Sequence, residues 1–514
     1  MARRSMRRLR LVSGGIVMLL AGCTVGPDFT KPEQNVPAGY NNASNDTGPG
    51  TATMRADPDP RWWRNFGDPE MTRLVERATA SNLDVQQAVL RIAEARAQVT
   101  ASAAAGLPNI IGNGSYKRDQ LGLKGPLQEH GGFNLANQFP QAGPILDRLT
   151  QPIDLYQAAV DASWEVDLFG RVRRSVEQSE AQTEAQVETA NDALVSLEAE
   201  VASNYAQLRG AQAETATLQE NLRTENGVLE LTRDRRVAGL SPQADVESAV
   251  AARAGTQALL PQYERQTEQA INRLSYLIGE PPGTLRAELA APAALPPLPP
   301  DVPIGLPSTL VRRRPDIRIA EAQLHAATAG VGVAVAELFP DVSLTGEVGL
   351  RSDRAKYLAR WSSLFYSFGP SISIPIFEGG KLRANIKIAE AQQAEAVLGY
   401  RKAVLNALQE VENALAAYRT DEQQRKALAD TVAANQRALD LSRDRYRNGL
   451  SSFIEVLNAE HNWAQSRQQL IAAVISETAD LVSLYKALGG GWETVTPAAS
   501  PPSPTASLNE KPAK

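Results

Sequence analysis

Two stretches of the chain, about 210 residues apart, carry the same long helical pattern. Arg171–Gly239 and Lys381–Gly449 each run for about 69 residues without a proline. At a rise of about 1.5 Å per residue, each helix would be about 100 Å long. This is several times the length of an ordinary domain helix. The sequence therefore predicts a protein built for length, such as a duct or a rod, rather than one built around a pocket.

Both stretches carry apolar residues at seven-residue spacing, the pattern of a coiled-coil seam. The seam residues are Val187, Leu194, Val201 and Leu208 in the first copy and Val397, Val404, Val411 and Tyr418 in the second, flanked by Leu197, Leu218, Leu408 and Leu415. Each helix is expected to bury a narrow stripe and to leave the rest in water. An ordinary antiparallel coiled coil fits this spacing equally well.

The N-terminus predicts export and lipid attachment. Five arginines within the first ten residues precede an apolar run, Leu11–Leu20, that is too short to anchor the chain across a bilayer. The run ends in Leu20-Ala21-Gly22-Cys23, which resembles a bacterial lipobox, whose cysteine is acylated, for example with palmitate, and becomes the first mature residue. Cys23 is the only cysteine, which excludes an internal disulfide. In lipoproteins of this pattern, a residue other than aspartate after the acylated cysteine favours the outer membrane, and here Thr24 follows Cys23.

The net charge limits the possible partners, and the proline-rich and glycine-rich segments mark the boundaries between the parts of the chain. The net charge is −5, and loss of the leader removes five arginines and no acid, which leaves −10 and does not indicate a nucleic-acid-binding surface. Proline-rich and glycine-rich segments divide the chain. The predicted parts are a signal peptide (1–22), a lipid-anchored extended strap (23–60), a first repeat of helix, two strands, long helix and return helix (61–280), a proline-rich crossover (281–307), a second repeat (308–491) and a disordered tail (492–514).

Strict alternation of apolar and polar residues precedes each long helix and predicts strands. The first copy has Val160, Ala162, Trp164, Val166 and Leu168 against Asp161, Ser163, Glu165 and Asp167; the second has Tyr366, Phe368, Ile372, Ile374 and Ile376 against serines and a glycine. Leu107–Tyr116 and Asp341–Leu350 are expected to be their partners. The connections, Lys117–Gln157 and Arg351–Ser363, would be loops, with Tyr116, Trp361 and Tyr366 near an interface.

About ten residues is the length of a tilted membrane strand, and each chain supplies four. Open sheet edges are not tolerated in lipid, so several chains must share one barrel. Three chains give twelve strands and a usable lumen, whereas eight strands would be filled by side chains. A small soluble sandwich with one wet face is the alternative for the strand pattern alone.

An ordered series of motifs between Trp62 and Trp492 resembles the OprM-like outer-membrane efflux lipoproteins of the TolC superfamily. The motifs are Trp62-Trp63-Arg64-Asn65-Phe66-Gly67-Asp68-Pro69, Asp167-Leu168-Phe169-Gly170-Arg171, Gly305-Leu306-Pro307-Ser308, Arg312-Arg313-Arg314-Pro315-Asp316, Pro375-Ile376-Phe377-Glu378-Gly379-Gly380 and Leu488-Gly489-Gly490-Gly491-Trp492. The resemblance implies a membrane α+β fold, a trimeric twelve-stranded β-barrel continued by a periplasmic α-helical barrel. It also implies a homotrimer working with a periplasmic adaptor protein and an inner-membrane transporter of the RND type.

The far ends of the two long helices share one turn, Arg235 to Ser241 and Arg445 to Ser451. Gly239 and Gly449 are expected to end a helix, with Ser241 and Ser451 capping the next one and Pro242 in its first position. Capping does not explain an exposed leucine beside an arginine. By resemblance, these turns are adaptor docking tips, comprising Arg235, Gly239, Leu240, Ser241, Arg445, Gly449, Leu450 and Ser451.

Beyond the second tip, the family's resting channel narrows through an apolar ring and an aspartate ring. The matching positions are Ile454 and Asn458, four residues apart and so on one helix face. Asparagine replaces the acid and removes the repulsion between three carboxylates. Either Glu455 or Glu460 compensates for that charge, or the gate is simply less charged. A polar residue in a coiled-coil seam is the alternative for Asn458.

Five acids on the polar strand faces, Asp161, Glu165, Asp167, Asp341 and Glu347, would repeat threefold and favour cations. The alternative, that these acids only keep the wall of a wide channel hydrated, explains them equally well. Arg312–Arg314 are expected to cap and solvate a helix start rather than to form a functional cation patch.

No catalytic, metal or cofactor site is expected, because the three histidines are scattered and no phosphate loop or nucleophile elbow occurs. The leading hypothesis is a passive export channel for small molecules. The alternatives are a duct for type I protein secretion and a lipid-anchored periplasmic coiled-coil scaffold without a pore.

Overall fold

The computed structural model describes residues 24–33, 36–43, 52–54, 56–120, 122–130, 144–145 and 150–494. The predicted signal peptide, 1–22, and the predicted lipidation site Cys23 lie outside the described residues.

The same order of elements occurs twice, as helices, two strands, a long helix and a return helix. The α-helices are α1 (Pro69–Ser81), α2 (Leu83–Ala104), α3 (Lys124–Glu129), α4 (Arg171–Val237), α5 (Gln243–Leu277), α6 (Arg286–Leu289), α7 (Pro307–Arg313), α8 (Pro315–Ala336), α9 (Lys381–Arg447) and α10 (Phe453–Ala487). The strands are β1 (Ala52–Met54), β2 (Asn109–Asp119), β3 (Ile153–Glu165), β4 (Asp301–Pro303), β5 (Asp341–Ser352) and β6 (Leu364–Ser373). The predicted long helices are thus confirmed, at 67 residues each.

The chain forms two compact units. The first, here called the sheet unit, comprises Met1–Phe29, Ala97–Glu180 and His325–Ala394. The second, the helical unit, comprises Thr30–Arg96, Ala181–Leu324 and Glu395–Lys514.

The sheet unit holds an antiparallel sheet in the order β2-β3-β5-β6, so β2 and β6 are its edges. The register places Val160 opposite Gly112 and Val348, and Asp161 opposite Ile111 and Glu347. Most apolar side chains therefore share one face and most polar ones share the other, with Ile111 an exception on the polar face. Apolar members of this face are widely exposed in the chain, with Phe368 83% exposed. A face of this kind needs a cover of lipid or of other copies.

Three strand boundaries predicted from alternation were wrong. β3 begins at Ile153, inside the predicted loop, because β2 continues to Asp119, which pairs with Ile153. β3 ends at Glu165, its last residue with a register partner in β5, so Val166 and Leu168 lie beyond it, although the amide of Val166 still donates to the carbonyl of Val342 at 2.8 Å. In the same way, β6 ends at Ser373, which pairs with the first residue of β5. Alternation continues past the residues that have a partner strand, to Ile374 and Ile376.

The seams of α4 and α9 are buried largely as predicted. Val201, Leu208 and Val411 are 0% exposed, and Val404 is 2% exposed. Val397 is the exception, because it is 43% exposed within the chain. The stripe of α9 therefore meets its neighbours only from about Tyr400 onward, which is itself 1% exposed.

The core of the helical unit gathers aromatic residues from both ends of the sequence. Trp62 stacks on Tyr485 with 5.1 Å between ring centres. Trp492–Thr494 form a 3-10 helix, and the carboxylate of Glu493 pairs with Arg313 at 2.6 Å. The predicted disordered tail therefore starts too early at 492, and 495–514 lie outside the described residues.

Arg314 is not a solvated residue, contrary to expectation. It is 7% exposed and forms ion pairs with Asp316 at 2.7 Å and with Glu410 at 2.6 Å. Its guanidinium also donates a hydrogen bond to the carbonyl of Ala487 at 2.7 Å. A buried guanidinium with all these partners ties α8, α9 and α10 together.

Candidate functional site

The two long helices end in the same turn. Gly239 and Gly449 both have φ of +73°, a left-handed conformation that only glycine adopts cheaply. The amide of Leu240 donates to the carbonyl of Arg235 at 2.8 Å, and that of Leu450 donates to Arg445 at 2.8 Å. This is the six-to-one bond of a Schellman helix end. The predicted role of the two glycines is confirmed.

The leucines after these glycines are exposed, at 68% for Leu240 and 69% for Leu450. The prediction that serines cap the following helices was wrong. Pro242 and Ser452 occupy the cap positions of α5 and α10, and neither makes a side-chain capping bond. Ser241 Oγ lies 2.6 Å from the carboxylate of Asp245 instead.

A contact between the two turns was not foreseen from the sequence. The guanidinium of Arg235 lies 4.5 Å from the ring centre of Tyr446, and its Nη1 donates to the Tyr446 carbonyl at 3.2 Å. Tyr446 is 5% exposed and packs beside Phe453 with 5.7 Å between ring centres. Arg235 is thus a structural bridge, whereas Arg445 is exposed. The two tips have the same backbone and different side-chain surfaces.

The candidate gate lies on the first turns of α10. Ile454 is 55% exposed, and Glu455 and Asn458 are exposed as well. Glu460 cannot supply the missing charge, because it is 5% exposed and pairs with Arg443 at 3.3 Å. Burial raises the pKa of the Glu460 carboxyl, a further sign that it faces away from water.

The five acids predicted for the channel wall occupy different settings. Asp161 and Glu347 are register partners on the polar face, and Asp341 is the first residue of β5. Glu165 ends β3 and is paired with Arg171. Asp167 lies beyond β3 and pairs with Arg173 at 3.2 Å, so it is not a strand residue. Arginines therefore offset the last two charges.

The strap is fastened where β3 gives way to α4. Gly170 has φ of +84°, and a Cβ there would lie 2.7 Å from the side chain of Thr24. The amide of Val25 donates to the carbonyl of Phe169 at 3.1 Å. Arg174, 3% exposed, pairs with Asp28 at 2.6 Å. The first described residues thus complete the corner between strand and helix.

One buried acid of the helical unit was not predicted from the sequence. Glu198 of α4 is 0% exposed, and its carboxylate lies beside the indole of Trp62. Burial, followed by the nearby charge of Glu493, raises the pKa of Glu198 to about 9. The group is therefore a neutral acid at pH 7.

Comparison with known proteins gives a consistent result. The model of the family described as "Outer membrane efflux protein" matches residues 74–280 and 306–490. Nodulation protein T of Rhizobium leguminosarum bv. trifolii is 33% identical over 499 residues, which cover 96% of this chain and 100% of that protein. Toluene efflux pump outer membrane protein TtgC of Pseudomonas putida is 33% identical over 480 residues, 92% of this chain and 94% of that protein.

Solved structures agree over nearly the same length. The outer-membrane channel OprN has a TM-score of 0.80 and 33% identity, covering 92% of this chain and 100% of that one. The open state of the MtrE outer membrane channel of Neisseria gonorrhoeae has a TM-score of 0.75 and 29% identity, covering 91% and 99%.

Proposed function

This chain belongs to the outer membrane efflux protein family, and from that premise we propose that it is the outer-membrane channel of a tripartite efflux system. It conducts drugs and small toxic compounds passively to the exterior. A periplasmic adaptor and an inner-membrane transporter, of the RND type, supply the cargo and the energy. Family members are efflux proteins rather than enzymes, and we assign this chain no catalytic role. A name such as that of the toluene efflux protein favours small molecules over secreted proteins as cargo.

The observation that carries the proposal is the four-stranded sheet with an apolar face and two open edges. Unpaired strand amides are not tolerated in lipid, so β2 of one copy has to pair with β6 of the next. Three copies close a barrel of twelve strands with an aqueous lumen. Purified protein should run as a heat-modifiable trimer and should conduct in planar bilayers. A stable monomer without conductance would overturn the proposal.

We propose that the leucines of the two tips are the adaptor docking points. Each projects from a rigid glycine turn with about two thirds of its surface in water, and the turn's own bonds do not need the side chain. Replacing Leu240 and Leu450 with aspartate should abolish adaptor crosslinking and drug export while the trimer persists. The matched control, methionine at both positions, keeps an apolar surface and should retain both activities. If the aspartate variant still crosslinks and exports, the leucines have no docking role.

We propose that Ile454 and Asn458 narrow the resting channel. They are exposed on one face of α10, where Glu460 is buried and cannot replace the missing charge, whereas Glu455 is exposed and can. Alanine at both positions should raise closed-state conductance, whereas Ile454→Leu, which keeps the apolar volume, should not. Unchanged conductance in the double variant would rule out a gate at these positions.

We propose that Asp161 and Glu347 form the charged part of the lumen wall, joined by Asp341. Three copies of each would give rings that favour cations. Asparagine and glutamine at Asp161 and Glu347 should move the cation-to-anion permeability ratio towards unity. A wild-type ratio already near unity would make these acids a wet lining only.

A further inference from the structure

The connection between β5 and β6 is rich in basic residues. Residues 353–363 contain Arg354, Lys356 and Arg360 against the single acid Asp353. Because α9 follows the other end of β6, this loop lies at the end of the sheet away from that helix. Tyr156 pairs with both Tyr116 and Ser352, so the basic end of β2 lies at the same end of the sheet as the loop 353–363.

Two of the three cations of the loop lie beside the same aromatic ring. The guanidinium of Arg360 lies 4.1 Å, and the ammonium of Lys356 4.9 Å, from the ring centre of Tyr357. Among the described residues, no carboxylate lies within ion-pair distance of Arg354, Lys356 or Arg360. Clustered like charges raise the local potential, which a bound anion relieves. At the opposite end of the sheet, by contrast, Arg171 has a carboxylate partner.

The loop has a defined backbone rather than a loose one. Ala355–Tyr357 and Trp361–Ser363 are short 3-10 helices. Ser363 Oγ donates to the carbonyl of Tyr357 at 2.8 Å, and the amide of Arg360 donates to the same carbonyl at 3.1 Å. The cations are therefore presented from fixed positions, which lowers the entropy lost on binding an anion.

Aromatic residues beside the cations indicate the depth of the loop in a membrane. Trp361 is 85% exposed next to Arg360, and Tyr366 is 70% exposed on the apolar face of the sheet. Exposed tryptophan and tyrosine at the end of a membrane strand are typical of the headgroup level. The cations of the loop then lie where lipid phosphates lie.

We propose that Arg354, Lys356 and Arg360 bind the phosphate groups of lipid A, the phosphorylated glycolipid of the outer leaflet, with Trp361 inserted beside them. The proposal rests on the outer-membrane orientation of the proposed function. Basic clusters next to membrane segments bind anionic headgroups with a free energy that grows with each Lys or Arg. Guanidinium and ammonium groups also form short, charge-assisted hydrogen bonds to phosphate oxygens.

The test uses the full-length protein in detergent, with lipid A titrated and bound copies counted by native mass spectrometry. The loop variant replaces Arg354, Lys356 and Arg360 with glutamine. The matched control replaces three exposed cations of α9, Lys387, Lys402 and Arg437, with glutamine. Lipid A from which both phosphates have been removed, and inorganic phosphate as a competitor, complete the design.

The loop variant should bind lipid A about 100-fold more weakly, because three cations near an anionic surface are lost. The control should bind like the wild type, and removing the phosphates should weaken wild-type binding to a similar degree. Equal binding of the two lipids, or equal binding by the loop variant, would overturn the proposal. So would displacement by inorganic phosphate at matched phosphate concentration, which would make the loop a general anion site.

Conductance of the same samples separates this inference from the function it rests on. Protein that discriminates the two lipids through the loop but forms no channel would support the lipid site and overturn the proposed function. Protein that conducts but does not discriminate them would do the reverse.

Discussion

Replacing Glu198 with glutamine should stabilise the protein, and more so as the pH rises. The Glu198 carboxyl has a pKa of about 9 in the folded chain against an ordinary 4.5, chiefly because it is buried. At pH 7 folding therefore requires it to take up a proton, at a cost on the order of 3 kcal/mol per chain. A raised pKa means that stability is highest below about pH 4.5 and falls until about pH 9. Glutamine has the same shape and no proton to take up.

The assay is unfolding of the purified protein, followed by circular dichroism at 222 nm between pH 5 and pH 9. The advantage of Glu198→Gln should grow by about 1.4 kcal/mol per pH unit up to about pH 9. The matched control is Glu200→Gln, two residues away on the same helix, where the side chain is 39% exposed and paired with Arg273. An advantage that does not change with pH, or one shared by the control, would refute the burial argument.

Three further substitutions test close contacts. Gly349→Ala should abolish the heat-modifiable trimer, because a Cβ there would lie 2.5 Å from a backbone oxygen of β3. The control Gly369→Ala on β6 places its Cβ in open space and should assemble normally. Tyr446→Ala should lower the local opening free energy of the tips by about 3 kcal/mol, read as faster hydrogen exchange, while Tyr446→Phe keeps the packing and should not. Gly26→Ala should free the strap for limited proteolysis, because its φ is +93° and a Cβ would lie 2.5 Å from the backbone of α8; Gly39→Ala meets no neighbour and should leave it protected.

Local chemistry made parts of the fold predictable. The absence of proline and the seven-residue spacing were enough to find the long helices, because both are properties of one segment. The strand limits were missed because they depend on the partner: nothing near Ile153 shows that Asp119 pairs with it. Val397 was assigned to the seam because the heptad spacing continues there. The segments that pack against α9 begin only at about Tyr400, so Val397 stays exposed within the chain.

The same distinction holds at the candidate site. The glycine turns could be predicted, since a left-handed residue that ends a helix is recognisable from a few residues. The bridge from Arg235 to Tyr446 joins residues 211 apart, and no local pattern marks either partner. Glu198 looks like one of many solvated acids on a Glu-rich helix. It packs against Gly491 from the far end of the sequence, where even a Cβ would collide with the Glu198 carboxylate.

The two bare edges of the sheet have a genetic consequence. A barrel closed by three copies needs both sheet edges of every subunit. One subunit with a defective edge therefore prevents two intact subunits from closing the barrel. In a cell making faulty and sound chains in equal amounts, only about one ring in eight would consist of sound chains alone. Lesions in β2 or β6 should therefore be dominant over the wild-type allele, whereas lesions that merely prevent synthesis should be recessive.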